Sequence, residues 1–244
     1  MKKITRLTAM AIVIGLTAPS CKKYEEGPGL SFRSKKARMA GEWSLSNMTT
    51  TSTSTNSNGD VTTVTITTTD GATVTKKTDY TPDGGTTSSA TVNGTITQTL
   101  TTEKDGTYKS TTTTKYTWVE PILGIDVTTE ETTVSDETGT WNFTGGIGDE
   151  KNKEKMILVP ATRTQTTTTV TTPEGGSANT TTNVDSETVT GESSILLIKL
   201  LKNKESHFTI ESSNASSNSY TSGSSTSSSN SSWSTTGDIN FIQK

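Results

Sequence analysis

TVNGTITQTL, residues Thr91–Leu100, places Val92, Ile96 and Leu100 on one parity, with Gly94 and Gln98 filling the positions between them. An apolar set that returns with period two marks a half-buried β-strand, because successive side chains of a strand point to opposite faces. The same alternation recurs along the chain. In VTTVTITTT, Val64 and Ile66 share a parity and Val61 takes the other; Tyr116 pairs with Trp118, Trp141 with Phe143, and Phe208 with Ile210. Threonine fills much of what lies between. It is β-branched, favours strands, and can pack its methyl group where serine cannot.

Glycine-bearing turns divide these runs: NGD at 58–60, DGA at 70–72, PDGG at 82–85, KDG at 104–106, PEGG at 173–176 and TGE at 190–192. Strand runs joined by Asn-Gly or Asp-Gly read as hairpins, since glycine takes the positive φ that these turns need. Successive hairpins make an antiparallel up-and-down meander. A long meander must hide its edges or close, and an all-β barrel closes. No helix is expected after residue 20. The apolar run SSILLIKLLKNKES reads either as a short helix or as a strand buried on both faces. Residues 212–232, SSNASSNSYTSGSSTSSSNSS, are of low complexity and are expected to form a flexible loop. The ending GDINFIQK then supplies a closing strand.

The chain has 244 residues, 27% hydrophobic and 5% aromatic, low enough that disorder competes with folding. Its start supplies a location. Lys2, Lys3 and Arg6 precede the uncharged stretch LTAMAIVIGLTA and then Ala18, Pro19, Ser20 and Cys21, the order of a secretory signal. The apolar stretch is too short for a spanning helix, which needs about 20 residues. Residues 1–20 are therefore expected to be a removed signal peptide, followed by a charged linker over 21–40 and one β domain over 41–244. Lys22–Arg38 holds six basic and two acidic residues, whereas Met39–Lys244 holds thirteen basic and twenty-three acidic. The basic collar is either a solvated linker or a contact for anionic headgroups. An acidic domain on an exported chain argues against nucleic acid as a partner.

With Cys21 at the cut, the leader resembles that of a bacterial lipoprotein, in which the cysteine thiol is diacylated by palmitate-type chains and becomes the first mature residue. The alternative is a plain signal peptide that leaves Cys21 as a free thiol, unusual in a secreted protein. CKKYEEGP followed by LSFRSKKARMAGEW is similar to the start of the lipocalin-like lipoproteins common in Bacteroidetes, where an RSKK-type segment leads into the G-x-W of the first barrel strand. GTWNF at Gly139–Phe143 and ILLIKLLKNKE at Ile195–Glu205 fit the same resemblance. It implies a lipocalin-like barrel, an outer-membrane location in the cell envelope through a lipid anchor, and a small, mostly apolar ligand. It also favours the strand reading of ILLIKLL.

Signals for chemistry are sparse. His207 is the only histidine and sits in an apparent strand, as an edge or surface residue. No G-x-S-x-G or S-x-x-K with supporting context points to a serine nucleophile. The acidic pairs Glu130–Glu131, Asp136–Glu137 and Asp149–Glu150 lie outside any recognised calcium loop and read as solvent faces and turns. GGIG at 145–148 lacks the strand-to-helix context of a phosphate loop and reads as a hairpin turn. Asn142 and Asn214 stand in N-x-[ST] settings, as chance dictates in a chain this rich in threonine and serine. No enzymatic activity, cofactor or metal is expected.

Two functions remain. One is a binding module, with Trp43, Trp118, Trp141 and Phe143 either lining a pocket or forming ordinary core. The other is a structural or adhesive surface protein with no ligand. They differ in whether the inside of the barrel is filled by large apolar side chains or is a void lined by threonine.

Overall fold

The computed structural model describes residues 35–144, 155–189, 194–201, 204–222 and 225–244. The signal peptide, Cys21, the GGIG stretch, the TGE turn and the pair Asp149–Glu150 lie outside the described residues.

Eleven antiparallel strands follow one short helix: α1 (Lys35–Met39), β1 (Gly41–Thr55), β2 (Val61–Thr68), β3 (Thr73–Thr81), β4 (Ser88–Thr102), β5 (Thr107–Ile122), β6 (Ile125–Thr144), β7 (Lys155–Pro173), β8 (Asn179–Thr188), β9 (Ser194–Leu201), β10 (Glu205–Ser222) and β11 (Ser225–Gln243). The expected all-β meander is present. At one end it closes. There β1 pairs with β4 through Gly41–Ser44 and Thr99–Thr102, and the ladder continues through β5, β6, β7, β9, β10 and β11 back to β1. This eight-strand ring is barrel-like, and we call it the base.

Above the base the strands diverge. The β2–β3 hairpin wedges between β1 and β4, with β2 on Met48–Thr55 and β3 on Ser88–Thr95. On the far side, β7 gives up β9 and pairs with β8 through Thr162–Thr171. Val189 N donates to Ala161 O, and the next pairing joins Ser194 to Leu158, so five steps along β8–β9 span three along β7. β7 thus changes partner from β9 to β8 around Pro160, which has no N–H to give.

The base is filled. Trp43, Met39, Met156, Leu201 and Phe208 have no exposed surface, and Leu45, Leu100, Ile96, Tyr108, Trp141, Ile198 and Phe241 join them in one cluster. Ile96 with Leu100 lies on the face that the alternation assigns, as do Trp141 and Phe208 in their runs, and in a closed ring that face is the inside. Register shifts at Leu45/Asn47, Thr138/Gly139 and His207/Phe208 all lie in or next to the base, where extra residues sharpen the bend a small ring requires.

Two expectations are corrected. Residues 212–232 are no loop: β10 and β11 pair without interruption from Glu205↔Ile242 to Ser222↔Ser225. A serine run satisfies its backbone in a ladder as well as any other sequence, and its low complexity says nothing against pairing. The linker, too, ends before residue 40, because α1 belongs to the fold. Met39 is wholly buried, and its carbonyl oxygen accepts from Trp43 Nε1 (2.7 Å) and Thr102 Oγ1 (2.5 Å). Arg38 Nη1 donates to Leu201 O (3.1 Å), and Lys36 Nζ stands 5.7 Å from the centre of the Trp141 ring. One helical turn therefore plugs the mouth of the ring beside β9.

Ser206 is 2% exposed and its Oγ has no hydrogen-bond partner among the described residues. A buried hydroxyl without a partner costs about 1–3 kcal/mol relative to leaving it in water. Ser206→Ala is expected to hold or raise stability, by up to about 1 kcal/mol in a urea titration; a loss above that value would show that the hydroxyl has a partner.

Candidate functional site

The filled base is the floor of a curved wall formed by the upper parts of the strands. Counting along the registers, the inner face above the floor carries Ile66 on β2, Lys76 on β3, Val92 and Gly94 on β4, Tyr116 and Trp118 on β5, Glu131 and Glu137 on β6, and Arg163 and Gln165 on β7. Threonine and serine occupy most of the remaining inward positions, including Thr112, Thr114, Thr133 and Ser135. Above the floor, then, threonine and serine rather than large apolar side chains take most inward positions.

Three features organise the wall. Tyr116 lies opposite Gly94, whose missing side chain makes room for the ring: a Cβ there would stand 2.8 Å from Tyr116 Cδ1 and 2.1 Å from Lys115 O. Lys76 Nζ sits 5.4 Å from the same ring, in reach of a cation–π attraction. Burial, then the charge of Glu131, pushes the Tyr116 phenol above its ordinary range, so it stays a neutral donor.

Lower down, Tyr108 covers Gly139 in the same way, and its hydroxyl donates to Glu137 Oε1 at 2.6 Å. Burial, then the Glu137 carboxylate, holds this phenol protonated far above the usual tyrosine range. Glu137 Oε2 accepts from Arg163 Nε (3.2 Å) and Nη2 (3.0 Å), and Arg163 Nη1 reaches Glu187 Oε1 on β8 (2.9 Å). The chain Tyr108–Glu137–Arg163–Glu187 thus runs sideways across four strands just above the floor. Beside its outer end lies a cleft of ≈ 380 Å³ lined by Arg163, Gln165, Asp185, Ser186 and Glu187.

The four aromatic candidates part company here. Trp43 (0% exposed) and Trp141 (2%) are core. The Trp141 ring meets Phe143 edge to face at 5.4 Å, and its Nε1 donates to Glu103 O (3.1 Å). Phe143 packs against this cluster, partly buried. Trp118 alone stands in the upper wall, half-buried, two positions above Tyr116.

Adjacent acids are split by the pleat. Glu130 faces outward to Lys115 (2.8 Å) while Glu131 faces inward; Asp136 faces outward to Thr111 (2.6 Å) while Glu137 faces inward. Carboxylates on opposite sides of a sheet cannot share a proton or a cation. His207 lies on the outer face, with Nε2 3.1 Å from Asp238 Oδ1, where Thr209 also donates (2.9 Å). Among the described residues no three histidine, cysteine, aspartate or glutamate side chains gather as a metal site.

The Arg163–Glu137 pair is barely marked in the sequence. Its only signal was an arginine opposite a glutamate across two strands, which requires the register to be known. No protein-family model matches the chain, and no curated protein matches it.

Proposed function

We propose that the protein is a lipid-anchored envelope protein of the lipocalin-like kind, tethered through Cys21, whose upper inner wall holds a small ligand with one apolar face and several polar groups. The observation that carries this reading is the change of composition along the strands: large apolar side chains concentrate at the floor, and above it the inner face is mostly threonine and charged groups, with Val74, Tyr116 and Trp118 carrying the apolar cluster upward along one part of the wall. Trp118, Ile66 and Val92 offer an apolar surface, while Lys76, Glu131, Gln165 and the threonine hydroxyls offer donors and acceptors. Pockets combine an apolar lining with a few placed polar groups.

Native mass spectrometry of the protein taken from its own cells tests it. A retained mass that Trp118→Ala loses, with circular dichroism unchanged, is the expected result. Bare protein from fresh cells would overturn the ligand and favour the second reading, a structural or adhesive role. That role has its own support in the β5–β6 hairpin, whose tip exposes Val119, Ile122, Leu123 and Ile125.

The anchor is tested separately. Two or three acyl chains bury enough methylene groups, at about 0.8 kcal/mol each, to hold a protein on a bilayer through high salt. Cys21→Ser is expected to move the protein from the membrane to the soluble fraction; continued sedimentation with membranes in high salt would refute the anchor.

A further inference from the structure

The ring is closed at the base and open along one side above it. β9 pairs with β10 only up to Leu196↔Ile210. Beyond that point β10 continues through Ser222 with β11 as its one partner, and β8, which continues the line of β9 upward, has β7 as its one partner among the described residues. A lateral seam therefore runs between β8 and the upper half of β10. The strands on either side run antiparallel to each other, as β9 and β10 do where they pair, so the seam is a pairing that stops. The cleft at Asp185, Ser186 and Glu187 lies on this edge, since it is lined by residues from both faces of β8.

β8 is an edge of unusual openness. All ten of its residues are exposed, its register with β7 has no bulge, and NTTTNVDSET contains neither lysine nor proline. Natural edge strands are blunted by those devices, because every second N–H and C=O of an edge points away from its one partner and invites another strand. Lysine, proline and a bulge are all absent here, and the charges β8 does carry are the carboxylates of Asp185 and Glu187. The side chains also specify a guest. Asp185 and Glu187 stand two apart on the inner side, where Arg163 bridges Glu187 and Glu137, so three carboxylates share one cation and the stretch stays acidic; Val184, 59% exposed, faces outward between threonine and serine neighbours.

We propose that the β8 edge takes up an extended polypeptide segment as an added strand in the seam, with basic residues two apart facing Asp185 and Glu187 and β-branched residues against Val184. The backbone supplies the affinity and the carboxylates set the register, as in other cases of strand addition. A second copy of this chain pairing β8 to β8 would place no basic side chain opposite Asp185 or Glu187, and the charge pattern disfavours it. The site borders the ligand wall at Arg163 and Gln165, and its backbone pairing does not depend on a ligand there.

The test uses the full chain and a blocked octapeptide, Thr-Lys-Thr-Lys-Val-Thr-Val-Thr, with amide hydrogen exchange followed residue by residue. The expected result is at least tenfold slower exchange for alternate amides of Asn179–Thr188, an affinity that weakens with salt, and a several-fold loss with Asp185→Asn. Three results would each overturn the proposal: no change in β8 exchange; equal protection by the same peptide N-methylated along its pairing edge; or equal binding of a peptide with glutamate in place of lysine. A chain that is dimeric without peptide, with β8 amides already protected, would give the edge to a second copy and overturn it as well.

Discussion

Trp141→Ala should bring the protein close to unfolding. The indole is 2% exposed, meets Phe143 edge to face, lies under the Lys36 ammonium and donates to Glu103 O in the β4–β5 turn. Truncating a buried tryptophan costs about 3–5 kcal/mol, and a domain has about 5–15 in all. The share lost here lies at the upper end of that range, because few large apolar residues fill the base and each touches several strands. Thr97→Ala on the exposed outer face of β4 should cost no more than about 1 kcal/mol. Urea titrations read by circular dichroism make the comparison. Equal, small effects at the two positions would mean that the base is not the core.

The second large effect is expected at a residue with no side chain. Gly94→Ala places a methyl carbon 2.1 Å from Lys115 O and 2.8 Å from the Tyr116 ring. The ring can turn away, but the carbonyl is fixed in the β4–β5 ladder, so the two strands must separate. Overpacking of this kind costs about 1–3 kcal/mol and more where backbone has to move. Adding Tyr116→Ala should recover little of it, since the tighter clash is with backbone. Full recovery in the double variant would show that the ring, not the ladder, sets the requirement for glycine. Gly139 faces the same arrangement with Val159 O (2.2 Å) and the Tyr108 ring (2.8 Å).

Much of the fold is legible in the sequence, and the reasons are specific. The Gly-bearing turns at 58–60, 70–72, 82–85, 104–106 and 173–176 all join consecutive strands, because positive φ at Gly59, Gly71, Gly84, Gly106 and Gly175 is what those positions require. ILLIKLL is a strand because the ring flanks it with β7 and β10. The turn at Leu123–Gly124 escapes notice: it interrupts the apolar run WVEPILGID, and Leu123 takes φ 53, a value rare outside glycine and asparagine. Helix α1 is hidden in a stretch whose charges suggest solvent, although Met39 at its end is buried.

The site is much less legible. In runs such as TTTT nothing marks which residue faces inward, since a shift of one position exchanges the two faces without changing the composition of either. Tyr116 and Trp118 could be assigned to one face, but Lys76, Glu137 and Arg163 could not be brought together without the registers of β3, β6 and β7. The seam depends on a pairing that stops, and a sequence whose strand propensity runs on through the stop leaves no mark of it.

A filled, closed base carries the stability of this fold, and the upper tier does not. Residue-resolved amide exchange in the native state measures this directly. Exchange is expected to be slowest in the ladders of the base, at Gly41–Ser44 with Thr99–Thr102 and at Met156–Leu158 with Ser194–Leu196, and faster along β8. Exchange at the β1–β4 junction as fast as in β8 would contradict it, for the ring would then be open at the one pairing that closes it.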